Sequence, residues 1–118
     1  MILNHLNLTV PDVTATKEFL EKYFDLKTYF VRGKGFALLR DNHNLMLSLM
    51  KGTEVKYPQT FHIGFGQESK EKVNQINQRL KEDGFDVKPP EQLHNWTFYV
   101  MAPGNFNIEV FYQEARYS

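Results

Sequence analysis

Cysteine is absent from this 118-residue chain, which excludes disulfides and thiolate chemistry and fits a reducing compartment. Charge of one sign is also missing: fourteen Lys and Arg balance fourteen Asp and Glu. No long-range field therefore exists to recruit nucleic acid, an anionic membrane or a polyanionic substrate. No apolar run approaches the ~18 residues of a membrane span. The start, Met1-Ile2-Leu3-Asn4-His5, lacks a basic region followed by an apolar core. The expectation is a cytoplasmic protein with no nucleic-acid or membrane role. At this length it forms one domain, residues 1–118, able to bury roughly two-thirds of the surface that its unfolded chain exposes.

What is present centres on Asn107 to Tyr112, a strand-like run with a carboxylate, Glu109, in its middle. Alternation places Asn107, Glu109 and Phe111 on one face and Ile108, Val110 and Tyr112 on the other. An unpaired buried carboxylate costs several kcal/mol or more, so Glu109 needs a partner, and the run contains no cation. His5 in Leu3 to Val10 and His62 in Phe61 to Phe65 sit in equally strand-like runs. Two imidazoles and one carboxylate form a metal-site inventory that leaves coordination positions open for water and substrate. The alternative from the residues alone is a Glu held by His in a polar network.

The order of elements reinforces the pairing. Ile2 to Val10 alternates, with Ile2, Leu6, Leu8 and Val10 on one face and His5, Asn7 and Thr9 on the other. Asp12 or Thr14 caps a helix with Ala15, Phe19, Leu20, Tyr23 and Phe24 at helical spacing. Lys27 to Arg32, Gly35 to Arg40 and Leu45 to Met50 read as strands. After a linker, Lys51 to Gln59, the pattern begins again. A strand at Phe61 to Phe65 precedes a helix capped by Ser69 and stopped at Gly84, and strands follow near Asp86 to Lys88, at Trp96 to Met101 and at Asn107 to Tyr112. The chain therefore reads as two βαβββ units, about 1–52 and 58–118, in an α+β fold. Superposing them pairs His5 with His62 and Ser48 with Glu109.

The double layout, with His5 in LNHLNLTV, Asp12 and Phe19 in PDVTATKEFLEKYF, His62 in FHIGF and Glu109 in PGNFNIEVF, resembles the vicinal oxygen chelate superfamily over essentially the whole chain. Its members include glyoxalase I, extradiol dioxygenases, fosfomycin-resistance thiol transferases, epimerases and metal-free bleomycin-binding proteins. The resemblance implies two sheets curled into a cup with helices outside, and ligand positions at His5, Ser48, His62 and Glu109. Glyoxalase I fills the second position with Glu or Gln, so Ser48 is a departure that leaves His5, His62 and Glu109 to hold a divalent ion, Mn, Fe, Ni, Co or Zn. The loop Pro89 to Asn95 carries no cation, which disfavours fosfomycin as substrate. Familiar extradiol dioxygenases are longer.

By the parity that the resemblance places inward, Thr97 and Tyr99 lie near the metal, with Tyr99 as acid or hydrogen-bond donor. Phe36, Leu38, Met46 and Met50 line the opposite wall, and Asn7, Thr9, Ser48 and Phe111 complete the pocket. His43 and His94 fall in loops, and Arg116 is a candidate to close over an anionic ligand. The resemblance also implies a homodimer in which His5 of one subunit meets His62 and Glu109 of the other. The expectation is a metal-dependent, glyoxalase-like lyase or isomerase acting on a small oxygenated substrate, with Glu109 or a metal-bound hydroxide moving the proton. The rivals are a metal-free protein of the bleomycin-resistance type that sequesters a small molecule, and a dioxygenase-like or thiol-transferase enzyme.

Overall fold

The computed structural model describes residues 1–114; Arg116 lies outside them. The elements run β1 (His5–Val10), α1 (Val13–Phe24), β2 (Lys27–Arg32), β3 (Phe36–Arg40), β4 (Met46–Lys51), β5 (His62–Gly66), α2 (Lys70–Glu82), β6 (Glu91–Gln92), β7 (Trp96–Met101) and β8 (Asn107–Tyr112). They fall into two compact units, Met1–Tyr57 with Ala102–Phe106, and Pro58–Met101 with the residues from Asn107 onward. Each unit holds one four-stranded sheet, in the order β1-β4-β3-β2 and β5-β8-β7-β6. The first strand of each unit pairs parallel with the last, and the remaining pairs are antiparallel. The two βαβββ units are thus the same in strand order and direction.

In the first unit, α1 starts where Asp12 Oδ1 accepts the Ala15 N–H at 2.9 Å and ends at Asp25 in the left-handed region, φ 56°. Its stripe of Val13, Phe19, Leu20, Tyr23 and Phe24 is buried along with Ala37, Leu39, Leu47, Leu49, Leu8 and Val10, because alternation along β1, β3 and β4 sends those side chains to the helix side. Thr16 joins this apolar set at no cost, since its hydroxyl donates to the Asp12 carbonyl. Ala15 is only half-buried. The linker is tied to the edge of β1 by Tyr57, whose hydroxyl accepts the Thr9 N–H at 2.9 Å and donates to the Thr9 carbonyl at 2.8 Å. Residues Ala102–Phe106, the turn before β8, pack in this unit. A side chain at Gly104 would run into Val10 and the Phe106 ring.

In the second unit, Ser69 Oγ accepts the Lys72 N–H and opens α2. Gly84, φ 92°, closes it, with the Phe85 N–H donating to the Leu80 carbonyl. Val73, Ile76 and Leu80 are buried, as are Phe98, Val100, Ile108 and Val110 from the sheet.

β3, β4 and β5 lie within one residue of the sequence expectation at each end, and two elements differ by more. β1 begins at His5, and Ile2 and Leu3 are exposed. Residues 86–88 form no strand; the short strand is Glu91–Gln92, which pairs with Thr97 and Trp96. The carbonyl of Lys88 is taken by Asn77 Nδ2 of α2 at 2.8 Å, and Pro89 and Pro90 have no N–H to give a ladder.

Candidate metal centre

Glu109 stands in the middle of β8, between Gly64 of β5 and Tyr99 of β7. The side chain is 17% exposed, so its carboxylate must be held by neighbours. Thr97, buried on the same face, donates its hydroxyl to Glu109 Oε2 at 2.8 Å. Oε1 faces His62, whose Nε2 lies 3.6 Å away. The Tyr99 ring meets the His62 ring edge-on, with centroids 5.7 Å apart. Partial desolvation of the phenol, then the charge and hydrogen bonding of Glu109, hold Tyr99 above the ordinary tyrosine range. Tyr99 is therefore a proton-bearing donor set against the carboxylate.

The imidazole of His62 has a defined polarity. Its Nδ1 lies 3.0 Å from the Thr60 carbonyl, which only accepts, so Nδ1 carries a proton and, in the neutral ring, Nε2 is the nitrogen free to ligate on the Glu109 side. His5 is dressed in the same way: Nδ1 lies 2.7 Å from Asn4 Oδ1, leaving Nε2 open. A metal-bound histidine has this arrangement, with one nitrogen donating to an oxygen and the other ligating. The 3.6 Å between His62 Nε2 and Glu109 Oε1 is close to the span of two donors that each lie about 2 Å from one tetrahedral ion. The donor set fits a borderline divalent cation. Among the described residues, no three His, Cys, Asp or Glu side chains form a ready metal-holding group. His62 and Glu109 belong to one unit and His5 to the other.

The first unit repeats the register without the carboxylate. Ser48 pairs with Asn7 and Leu38 as Glu109 pairs with Gly64 and Tyr99, and its hydroxyl donates to Asn7 Oδ1 at 2.7 Å. Thr9, Met50 and Phe36 lie in one row of the sheet, and His5 and Met46 in another. Phe36, Leu38 and Met46 are half-buried on this face and Met50 is exposed. Phe111 lies over the glycines of β5: a side chain at Gly64 would come within 3.0 Å of its ring. His43 sits in the turn organised by the Asp41 carboxylate, which accepts the His43 and Leu45 N–H groups.

Thr97 and Tyr99 also line a cavity of about 690 Å³ in the second unit, whose other walls include Lys88, Pro89, Leu93 and Met101. Leu93, Met101, Gly64, Thr60 and Asn4 do not stand out as site residues in the sequence. Of these, glycine inside the strand FHIGF was a signal for close approach of another group. The carbonyl of Thr60 left no signal in its side chain.

Residues 2–111 match the family model described as Glyoxalase/Bleomycin resistance protein/Dioxygenase superfamily. A solved structure of a possible glyoxalase from Bacillus cereus superposes with a TM-score of 0.92 at 61% identity, covering 94% of this chain and 98% of that one. A probable trivalent organoarsenical cleaving enzyme of Bacillus subtilis (strain 168) is 31% identical over 95% of this chain and 80% of its own length. The fosfomycin resistance protein FosX of Listeria monocytogenes, solved with Mn(II) and a sulfate ion, shares the fold at a TM-score of 0.81 and 23% identity, covering 98% of this chain and 94% of that one.

Proposed function

Since the chain belongs to the Glyoxalase/Bleomycin resistance protein/Dioxygenase superfamily, we propose that it is a divalent-metal-dependent, glyoxalase-like enzyme that chelates a small oxygenated substrate. The observation that carries this reading is the paired dressing of the histidines: both His62 and His5 commit Nδ1 to an oxygen and leave Nε2 open, and Glu109 Oε1 faces one of them. His5, His62 and Glu109 are the ligands, with the site completed between two subunits of a homodimer. Mn, Fe, Ni, Co and Zn suit the two imidazoles and carboxylate, and Mg does not. The FosX relative solved with Mn(II) supports a metal of this class. When bound, such an ion supplies Lewis-acid polarisation of two neighbouring substrate oxygens.

The chain's own groups do the rest. Thr97 fixes Glu109 through Oε2, leaving Oε1 to ligate or to take a substrate proton. Tyr99 keeps its proton to high pH and donates it as a hydrogen bond to an oxyanion that develops beside Glu109. Ser48 stays bonded to Asn7, so the fourth protein-ligand position of glyoxalase I is left to solvent.

Metal content after purification without chelators tests the proposal. Wild-type protein should carry stoichiometric transition metal, and Glu109→Ala and His5→Ala should carry none. Refolding the two variants together should restore a fraction of the sites, because one hybrid site then has all three ligands. A metal-free wild type would refute the metal enzyme, and no recovery on mixing would refute the shared site.

A further inference from the structure

In the second unit, the large hydrophobic side chains most open to solvent among the described residues are Leu93, Tyr99 and Met101, at 58%, 45% and 52% exposure. All three line the same cavity of about 690 Å³, a volume within the range of small-molecule sites. Exposed apolar groups scattered singly need no explanation, but three converging on one concavity do. The cavity is continuous with the candidate centre, because Thr97 and Tyr99 form part of its wall and are also the residues that interact with Glu109. Its charged lining is Asp86, Lys88 and Glu91. Two carboxylates against one ammonium oppose an anion, and no guanidinium is present to clamp a carboxylate or phosphonate.

We infer that this cavity binds the apolar, uncharged arm of the substrate, and that the substrate class is a neutral lipophilic molecule whose oxygen-bearing head reaches Glu109. Leu93 and Met101 set this specificity; Tyr99 is the junction between the arm and the head. The inference rests on the proposed function for the head, but not for the arm, and the two separate experimentally. Leu93 belongs to the loop between β6 and β7, with its N–H bonded to the Asn95 carbonyl. Its exposure means that it can be replaced without opening the core.

The test uses the full-length protein and two fluorescent dyes, neutral N-phenyl-1-naphthylamine and its anionic relative 8-anilinonaphthalene-1-sulfonate. The neutral dye should bind at least about tenfold more tightly than the sulfonate, and Leu93→Asp and Met101→Asp should each weaken it at least about tenfold, since a carboxylate must then be desolvated against the ring. Phe30→Ser, in the other unit, should leave dye binding unchanged, and Glu109→Ala should lose metal yet keep the dye. Equal binding of the two dyes, indifference to both Asp variants, or loss with Phe30→Ser would overturn the inference. Affinity that falls as protein concentration rises would also overturn it, by showing that association of the chain beyond the proposed homodimer fills the cavity. If the dye results hold while wild-type protein carries no metal, the ligand class stands and the metal reading alone fails.

Discussion

Glu109 is met by three residues that alternation puts on its own face: Thr97 donates a hydrogen bond to Oε2, Tyr99 stands directly opposite on β7, and His62 brings Nε2 to 3.6 Å from Oε1. Its grip on Tyr99 is measurable. Partial desolvation is the first cause of the raised phenol and the negative charge of Glu109 the next, so Glu109→Gln should move the Tyr99 titration down towards the ordinary value without reaching it. The sign follows from charge: a neighbouring carboxylate disfavours phenolate, and an amide does not. Absorbance titration of chelator-treated protein, with Tyr99→Phe as the difference reference, checks this; an unchanged or higher midpoint in Glu109→Gln would contradict it. These side chains were legible because a strand has a period of two, so a polar residue within an apolar run reveals its face. The oxygens that orient the imidazoles were not. Thr60 acts through a backbone carbonyl in a loop and Asn4 through a side chain next to His5, and neither has a period to read.

Helices and long strands followed from hydrophobic spacing and caps. Asp12 and Ser69 cap α1 and α2, and Gly84 ends α2 in a left-handed conformation. The segment from Asp86 to Gln92 escaped the same reasoning, because its position is set by α2 rather than by its own pattern. Asn77, buried on α2, holds the Lys88 carbonyl, and the chain pairs with β7 only after the two prolines. Asn77→Ala should therefore cost about 1–2 kcal/mol, the range for a buried hydrogen bond lost with its partner left behind. That corresponds to a fall of roughly 3–8 °C in melting temperature. It should also loosen the wall of the cavity formed by Lys88 and Pro89, weakening the neutral dye. A variant that melts with wild type would show that water replaces the amide at no cost and that the segment is held elsewhere.

At the scale of the molecule, the same strand order occurs twice, and the duplication was visible as a restart of the pattern at Phe61. The placement of Ala102–Phe106 with the first unit was not, because packing of a turn against Val10 depends on tertiary contacts that no local pattern encodes. Duplication has left one unit with a carboxylate, Glu109, where the other has a serine bonded to an asparagine. That asymmetry puts the carboxylate of the proposed site in the second unit alone, and His5 is the ligand that the proposal adds to His62 and Glu109.

The most direct test of this account is thermal melting of the wild type and of Glu109→Ala, with and without Mn, Co, Ni or Zn at neutral pH. An ion that binds only the native state adds about 2.7 kcal/mol at a hundredfold excess over its dissociation constant, which for a chain of this length is a rise of several degrees. That rise should appear in wild type, fade in acid because ligation needs neutral imidazole, and be absent in Glu109→Ala. The metal-free variant should be as stable as wild type or more so, because a strand-centre carboxylate without its cation is a liability. Wild-type protein that melts at the same temperature with every one of these ions would mean that His5, His62 and Glu109 hold no metal.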